Sequence, residues 1–335
     1  MLSPVRQDPS FDALLATLRA VAEPSRLRLA ALLSRAELTV TEISEVIGQS
    51  QPRTSRHLRL MLDAGILERS PEGPFVFYRV ADRGDAAELV RSLAERCQPD
   101  DPALAADVRA LERVRRERSR AAASYLRQLE EERVTLRPLC VADEEVERAM
   151  LELIAGEGAI ERLLDIGTGT GRILELMAPH SERSVGLDCS REMLGLARAN
   201  LAEARLSRAS VRHGDLHRTP FEAGSFDVAI MHHVLHLLDD PGAAIADAAT
   251  LLRPSGRLLV ADYAPHQLEL LRERHGHRQL GVADGEMAAW ARSAGLELSQ
   301  DRTLAPPARD GLTVRLWLLR APAQRSAGAL EAAVA

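Results

Sequence analysis

Lysine is absent from this chain of 335 residues, and all 43 basic side chains are arginine. A GC-rich genome accounts for that bias, and nothing functional is drawn from it. Cysteine is nearly absent as well. Cys97, Cys140 and Cys189 lie far apart, which excludes a disulfide framework and a Cys-x-x-Cys metal site and suits a reducing compartment. No apolar run approaches the roughly 20 residues needed to cross a bilayer. The opening MLSPVRQDPS lacks the charged-then-apolar pattern of an export leader, so a cytoplasmic protein with no membrane partner is expected. Nor is there an excess of positive charge. The net charge of −6 excludes a chain that is basic throughout, as a general nucleic-acid binder would be.

What is present divides into zones. In FDALLATLRAVAEPSRLRLAALL the apolar residues recur at helical spacing and break at Pro24. TVTEISEVIG begins with a threonine cap and stops at Gly48. After a short turn comes SQPRTSRHLRLML, Ser50 to Leu62, and then AGILERSPEGPFVFYRV, which alternates around a Pro/Gly tip as a β-hairpin does. This order predicts a mainly α winged helix-turn-helix. Leu58 and Met61/Leu62 are expected to face the core, leaving Gln51, Arg53, Thr54, Arg56 and His57 outward for base edges in a major groove. Arginine takes guanine by two hydrogen bonds and glutamine takes adenine. Ser50 and Ser55 suit phosphate contacts, and Arg69 with the 70–74 tip suits a wing on the backbone or minor groove.

From Asp82 to about Arg137 the chain is rich in Ala, Leu, Arg and Glu and reads as long helices. Their stripe of Leu89, Val90, Leu93 and Ala94 predicts a dimer seam or a core contact. Beyond Leu139 the runs RLLDIG, SVGLD, SVRHGD, FDVAIM and GRLLVAD alternate with helical patterns, and LELSQDR and LTVRLWLLRAP add two further strands. That alternation predicts a parallel α/β sheet. DIGTGTG, Asp165 to Gly171, follows an apolar strand and opens a helix, so its glycines let backbone approach a ligand at the strands' carboxyl ends. Asp188 ends the next strand, where a carboxylate takes both ribose hydroxyls. HGDL offers Asp215 for an exocyclic amine and the Leu216 N–H for a ring nitrogen. His232, after the fourth strand, and Asp262, Tyr263 and His266, after the fifth, are candidate general bases. No metal site is expected. His275 and His277 splay apart at a helix end within a polar cluster suited to a lid or docking surface, and His233 and His236 read as a surface pair.

SQPRTSRHLRLMLDAGILERSPEGPFVFYRV resembles the ArsR family of bacterial repressors over about residues 10–95, which implies a dimer on double-stranded operator DNA. Members that sense arsenic carry Cys-x-Cys in the helix before the turn, where this chain has Val40 and Thr41. Members that sense zinc use histidine after the wing, where DAAELVRSLAERC has none. A metal effector is therefore not expected. LLDIGTGTG, GLDCSREMLGLAR, GDLHRTPF, FDVAIMHHVLHLLDDP and LLRPSGRLLVADY together resemble the class I S-adenosylmethionine-dependent methyltransferases over about residues 139–320. That resemblance implies Asp165, Gly167, Thr168, Gly169 and Gly171 around the methionine part of the ligand. It implies Asp188 and Cys189 at the ribose, Met193 near the adenosine, Asp215 and Leu216 at adenine, and His232 toward the acceptor.

The expected organisation is a DNA-binding domain over 1–95, a helical linker or dimerisation segment over 96–138, a Rossmann-like methyltransferase domain over 139–322 and a tail over 323–335. The combination resembles regulators that respond to S-adenosylhomocysteine or S-adenosylmethionine, with repression as the expected sign. The alternative is an active methyltransferase of a small molecule with an accessory DNA-binding domain. SYLRQLEEERVTLRPL keeps Tyr125 but has no Trp or Phe, and this thin aromatic lid favours the regulator. Arsenite as acceptor is poorly supported, because the pocket cysteines it requires are missing.

Overall fold

The computed structural model describes residues 10–97, 101–102, 104–118, 139–155, 158–308 and 311–323. The chain divides into two compact units, Met1–Arg120 and Ala121–Ala335. The expected helices over 119–138, with Tyr125, and most of the expected tail lie outside the described residues.

In the first unit, helix α1 (Phe11–Val21) gives way to α2 (Pro24–Leu33), with Glu23 capping and Pro24 at the head of the second helix. Proline's fixed φ and missing N–H suit that position. A two-residue strand β1 (Leu38–Thr39) leads into α3 (Val40–Ile47). There Thr39 and Glu42 form a reciprocal capping box, and Gly48 ends the helix in the left-handed region at φ 68°. Helix α4 (Gln51–Asp63) follows, then the hairpin of β2 (Leu67–Glu72) and β3 (Phe75–Val80) in the position expected of a wing. Helix α5 (Asp85–Arg96) buries Ala87 and Val90 in this unit's own core, with Leu93 packed against it.

The described part of the expected linker is also a helix, α6, over 104–118. It is no free spacer. Ala110, Leu111 and Val114 enter the same core. Asp107 accepts from Arg28 Nε and Nη2 at 2.7 and 2.5 Å, and Arg118 grips Glu42 at 2.8 and 2.7 Å. The contact boundary falls after Arg120.

The second unit is a seven-stranded sheet in the order β6-β5-β4-β7-β8-β10-β9. Its parallel part comprises β4 (Ile160–Ile166), β5 (Ser181–Asp188), β6 (Ala209–His213), β7 (Phe226–His232) and β8 (Leu252–Tyr263). Strand β10 (Val314–Arg320) runs antiparallel to both β8 and β9 (Glu297–Leu304). Both faces are covered, so the central strands are continuous apolar runs. Leu163, Val228, Ile230 and Leu259 pack on one side with α7 (Asp143–Ala155), α8 (Arg172–Met177) and α9 (Arg191–Glu203). Leu164, Ala229, Met231 and Leu258 pack on the other with α10 (Pro241–Leu251) and α12 (Asp284–Ser293). The strand order reverses at β4, and a doubly wound sheet binds ligand at the carboxyl ends beside such a reversal. No helix among the described residues is long and apolar enough to cross a membrane.

Candidate functional site

On α4 the 3.6-residue period decides which side chains look outward. Ser50, Gln51, Arg53, Ser55 and Arg56 are exposed, as is Arg69 on β2. Arg59, one turn beyond Ser55, extends the same outward surface and was not singled out from sequence. Two expectations are corrected. Thr54 is 0% exposed and His57 9%, because positions 54, 57, 58 and 61 form the stripe that packs on the core. His57 lies 3.9 Å from Glu23 at the head of α2, and its burial lowers its pKa. Gln51 reaches back to the Thr41 hydroxyl at 3.2 Å, which ties the head of α4 to α3. Gly73 takes φ 59° in the two-residue turn of the hairpin.

In the second unit the expected ligand residues gather at the carboxyl ends of β4, β5 and β6. Gly167, Gly169 and Gly171 all have positive φ. A Cβ on Gly167 would stand 2.4 Å from Val234 Cγ2, so this loop lies directly against the segment after β7. Asp165 is fully buried and accepts the Thr168 hydroxyl at 2.6 Å. Burial, with the nearby Asp188 charge adding to it, raises its pKa to about 7 despite the Thr168 bond. Asp188 binds the Gly169 N–H through one oxygen and the Ser190 N–H through the other, both at 2.8 Å. Those two bonds hold the carboxylate in place and leave lone pairs able to accept further hydrogen bonds. Cys189 is exposed, and Met193 is half-buried in the first turn of α9. Asp215 is exposed and caps the short turn Leu216–Arg218 by accepting the His217 N–H at 3.0 Å, with Leu216 half-buried after it.

At the ends of β7 and β8 the structure assembles more than the sequence reading foresaw. Asp262 has no exposure. One oxygen accepts the Tyr263 N–H at 2.8 Å and meets His236 Nδ1 at 2.7 Å, and the other accepts the Leu235 N–H at 2.8 Å. Burial pushes its pKa up, but the His236 charge and hydrogen bond outweigh that and hold it below the usual carboxylate value. Asp262 is thus an anchor for His236 rather than a base open to an acceptor. The expectation that His233 and His236 form a surface pair is also corrected, since His236 is only 5% exposed.

Around this pair stand Tyr263, His232, His233, His266 and His277. His277 arrives because the excursion after β8 folds back on itself. Arg278 and Gln279 N–H groups bond the His236 carbonyl at 2.7 and 3.1 Å, and the Val282 N–H bonds the Tyr263 carbonyl at 2.8 Å. Gly281 permits that return, because a Cβ there would stand 2.1 Å from the Ala264 carbonyl oxygen. The His277 ring lies 4.2 Å from that of His236 and stacks on Tyr263 at 5.8 Å. His277 is 8% exposed, and burial together with the His236 and His266 charges pushes its pKa down to about 4. Burial and the His236 charge lower His266 as well. Of the expected polar lid, Glu269 precedes short helix α11 (Leu270–His275) and pairs with Arg272 on the exposed surface, while His277 turns inward. His236 and His277 are 41 positions apart, so no local pattern announced their meeting.

Residues 23–69 match the family described as bacterial regulatory protein, arsR family, and residues 164–260 match a methyltransferase domain. The chain is 31% identical over 108 residues to the uncharacterized methyltransferase YcgJ of Bacillus subtilis, covering 32% of this chain and 43% of that protein. It is 30% identical over 155 residues to the ubiquinone biosynthesis O-methyltransferase of Aromatoleum aromaticum, covering 42% of this chain and 65% of that one. The chain therefore spans less than two thirds of the length of these curated relatives. Among solved structures, the N-methyltransferase NodS from Bradyrhizobium japonicum in complex with S-adenosyl-L-homocysteine is 24% identical, with a TM-score of 0.46 covering 54% of this chain and 87% of that one.

Proposed function

We propose that this chain, an arsR-type helix-turn-helix segment followed by a methyltransferase domain, is a DNA-binding transcriptional regulator whose second unit takes S-adenosylmethionine or S-adenosylhomocysteine as effector. The observation that carries the reading is the presence, in one chain, of an exposed Arg53/Arg56/Arg59 surface on α4 and a glycine turn clasped by Asp188 through the Gly169 N–H. The first suits phosphates and guanine edges. The second presents backbone N–H groups and a fixed carboxylate at the strand ends, where a nucleoside binds a sheet of this topology. Phe11, Leu14 and Leu18, exposed on one side of α1, support assembly with a second copy on double-stranded operator DNA.

A route for the signal starts at α6. Arg118 near its end holds Glu42, whose carboxylate also binds the Thr39 N–H and hydroxyl in the cap of α3. Moving α6 would loosen the cap of the helix that supports α4. A coupling of about 2 kcal/mol between ligand and DNA would change operator affinity roughly 30-fold. The test is a titration of the full chain against its own upstream DNA at fixed salt, with S-adenosylmethionine, S-adenosylhomocysteine or neither. A shift of at least about fivefold with one ligand, abolished by Asp188→Ala, supports the reading. Tight DNA binding indifferent to both ligands refutes it.

The second reading, methyl transfer to a small acceptor, is favoured by the Asp262–His236 pair, which is the arrangement of an oriented base. A hydroxyl acceptor is its substrate class, by analogy with the O-methyltransferase relative. Release of S-adenosylhomocysteine only in the presence of such an acceptor would establish it.

A further inference from the structure

His233, His236 and Asp262 each offer one donor atom, and these atoms all lie within 4.8 Å of one another. We propose that they form a binding site for one zinc-class divalent transition ion, at the carboxyl ends of β7 and β8 and apart from the nucleoside residues of β4, β5 and β6. Two imidazoles and a carboxylate are the donor set of such ions. The inference does not depend on either functional reading.

The carboxylate is already oriented as a ligand needs to be. Backbone N–H groups of Leu235 and Tyr263 fix its two oxygens, and the rigid end of β8 carries it. His236 Nδ1 and Asp262 Oδ1 are 2.7 Å apart, at hydrogen-bond distance. An ion inserted between those two atoms would open the pair to the separation of about 3.3 Å set by bonds of about 2.0–2.1 Å in tetrahedral geometry. That is a movement of about 0.6 Å, within the reach of a side-chain adjustment. His233 closes the set from a backbone at φ 56°, in the left-handed region that non-glycine residues rarely adopt. Strain of this kind gathers where a side chain must be aimed at a ligand.

The surroundings suit a cation better than a packed core. His277 is buried with an Nδ1 that has no hydrogen-bond partner, and His266 Nε2 is likewise unpartnered. Buried polar atoms left in that state are costly, and a bound ion with its water supplies donors to meet them. Their ring contacts place both histidines around His236 and Tyr263.

The test uses tag-free, full-length protein stripped with chelator. Cobalt(II) is titrated and followed by visible absorption, and zinc content is measured by elemental analysis after dialysis. One ion per chain is expected. Its affinity should fall at least about 100-fold in His236→Asn and Asp262→Asn and at least about tenfold in His233→Asn. His217→Asn, which alters the surface pair with Asp247, should bind as the parent does. Substoichiometric metal in the parent overturns the proposal. So does a stoichiometric ion held equally by His236→Asn. Should the two buried variants lose their circular dichroism signature, His233→Asn decides, because His233 is only half-buried.

Discussion

Replacing Gly186 by alanine would place a Cβ 2.6 Å from Thr168 Oγ1 and 2.7 Å from both Cβ and Cγ2 of the same residue. Neither side has room to yield. Gly186 sits inside β5, paired with Asp165 on one flank and Val211 on the other. Thr168 is buried, its N–H bonds the Leu187 carbonyl at 3.1 Å, and its hydroxyl bonds Asp165 at 2.6 Å. Restoring an ordinary contact of 3.4 Å requires Thr168 to retreat by about 0.7 Å, which stretches its 2.6 Å bond to Asp165 to as much as about 3.3 Å. Overpacking of this kind costs about 1–3 kcal/mol, and weakening that buried hydrogen bond adds up to about 1 kcal/mol. The expected destabilisation is about 1–4 kcal/mol. Both tryptophans, Trp290 and Trp317, belong to the second unit, so guanidinium denaturation followed by their fluorescence reports that unit alone. Because Gly169 follows Thr168, S-adenosylhomocysteine affinity should also fall by about tenfold, equivalent to 1.4 kcal/mol. Thr168→Gly removes all three clashing atoms, so the double variant should show a coupling of about 1–3 kcal/mol rather than additive losses. Gly186→Ala within about 0.5 kcal/mol of the parent, with ligand affinity intact, would refute the reasoning.

Three further outcomes are expected. Asp165 has a folded pKa of about 7 against an ordinary 3.8, so the stability of its neutral form is complete below the lower value and is lost as pH rises through the upper one. Asp165→Asn should therefore gain on the parent by about 3 kcal/mol between pH 5 and pH 8 in the same fluorescence assay, and a pH-independent difference would contradict the assignment. On α4, Arg56→Ala should weaken operator binding by about 1–3 kcal/mol at fixed salt. Thr54→Val, at a buried hydroxyl with no hydrogen-bond partner, should leave operator binding within about twofold and stability unchanged or raised. Equal losses from the two would show that Thr54 reaches the DNA. Finally, Arg118→Ala strands the half-buried Glu42 carboxylate and should lower the melting stability of the first unit by about 1–2 kcal/mol, read by circular dichroism.

Local chemistry was legible in the residues. Thr39 with Glu42 and Gly48 bounded α3, Pro24 separated α1 from α2, and alternation around Gly73 marked the hairpin. The glycine turn after β4 and the acids ending β5 and following β6 appeared in order, because a strand end, a tight turn and a helix start each have a short-range signature. Exposure on α4 was legible only in part. The apolar residues marked one edge of the buried stripe, but Thr54 and His57 are polar residues on its other edge, and hydropathy assigned them to solvent.

By itself, then, the sequence determined the order and type of the elements, the helix-turn-helix followed by a mostly parallel α/β sheet, and the glycine turn after β4, since those depend on contacts between residues a few positions apart. Tertiary structure alone decided that 104–118 packs into the first core through Arg28–Asp107 and Arg118–Glu42. It alone decided that Gly186 makes room for Thr168, and that Asp262, His236 and His277 come together beyond the carboxyl ends of β7 and β8. Each of those contacts joins residues that lie on different elements and meet only on folding, where neither periodicity nor spacing carries a signal.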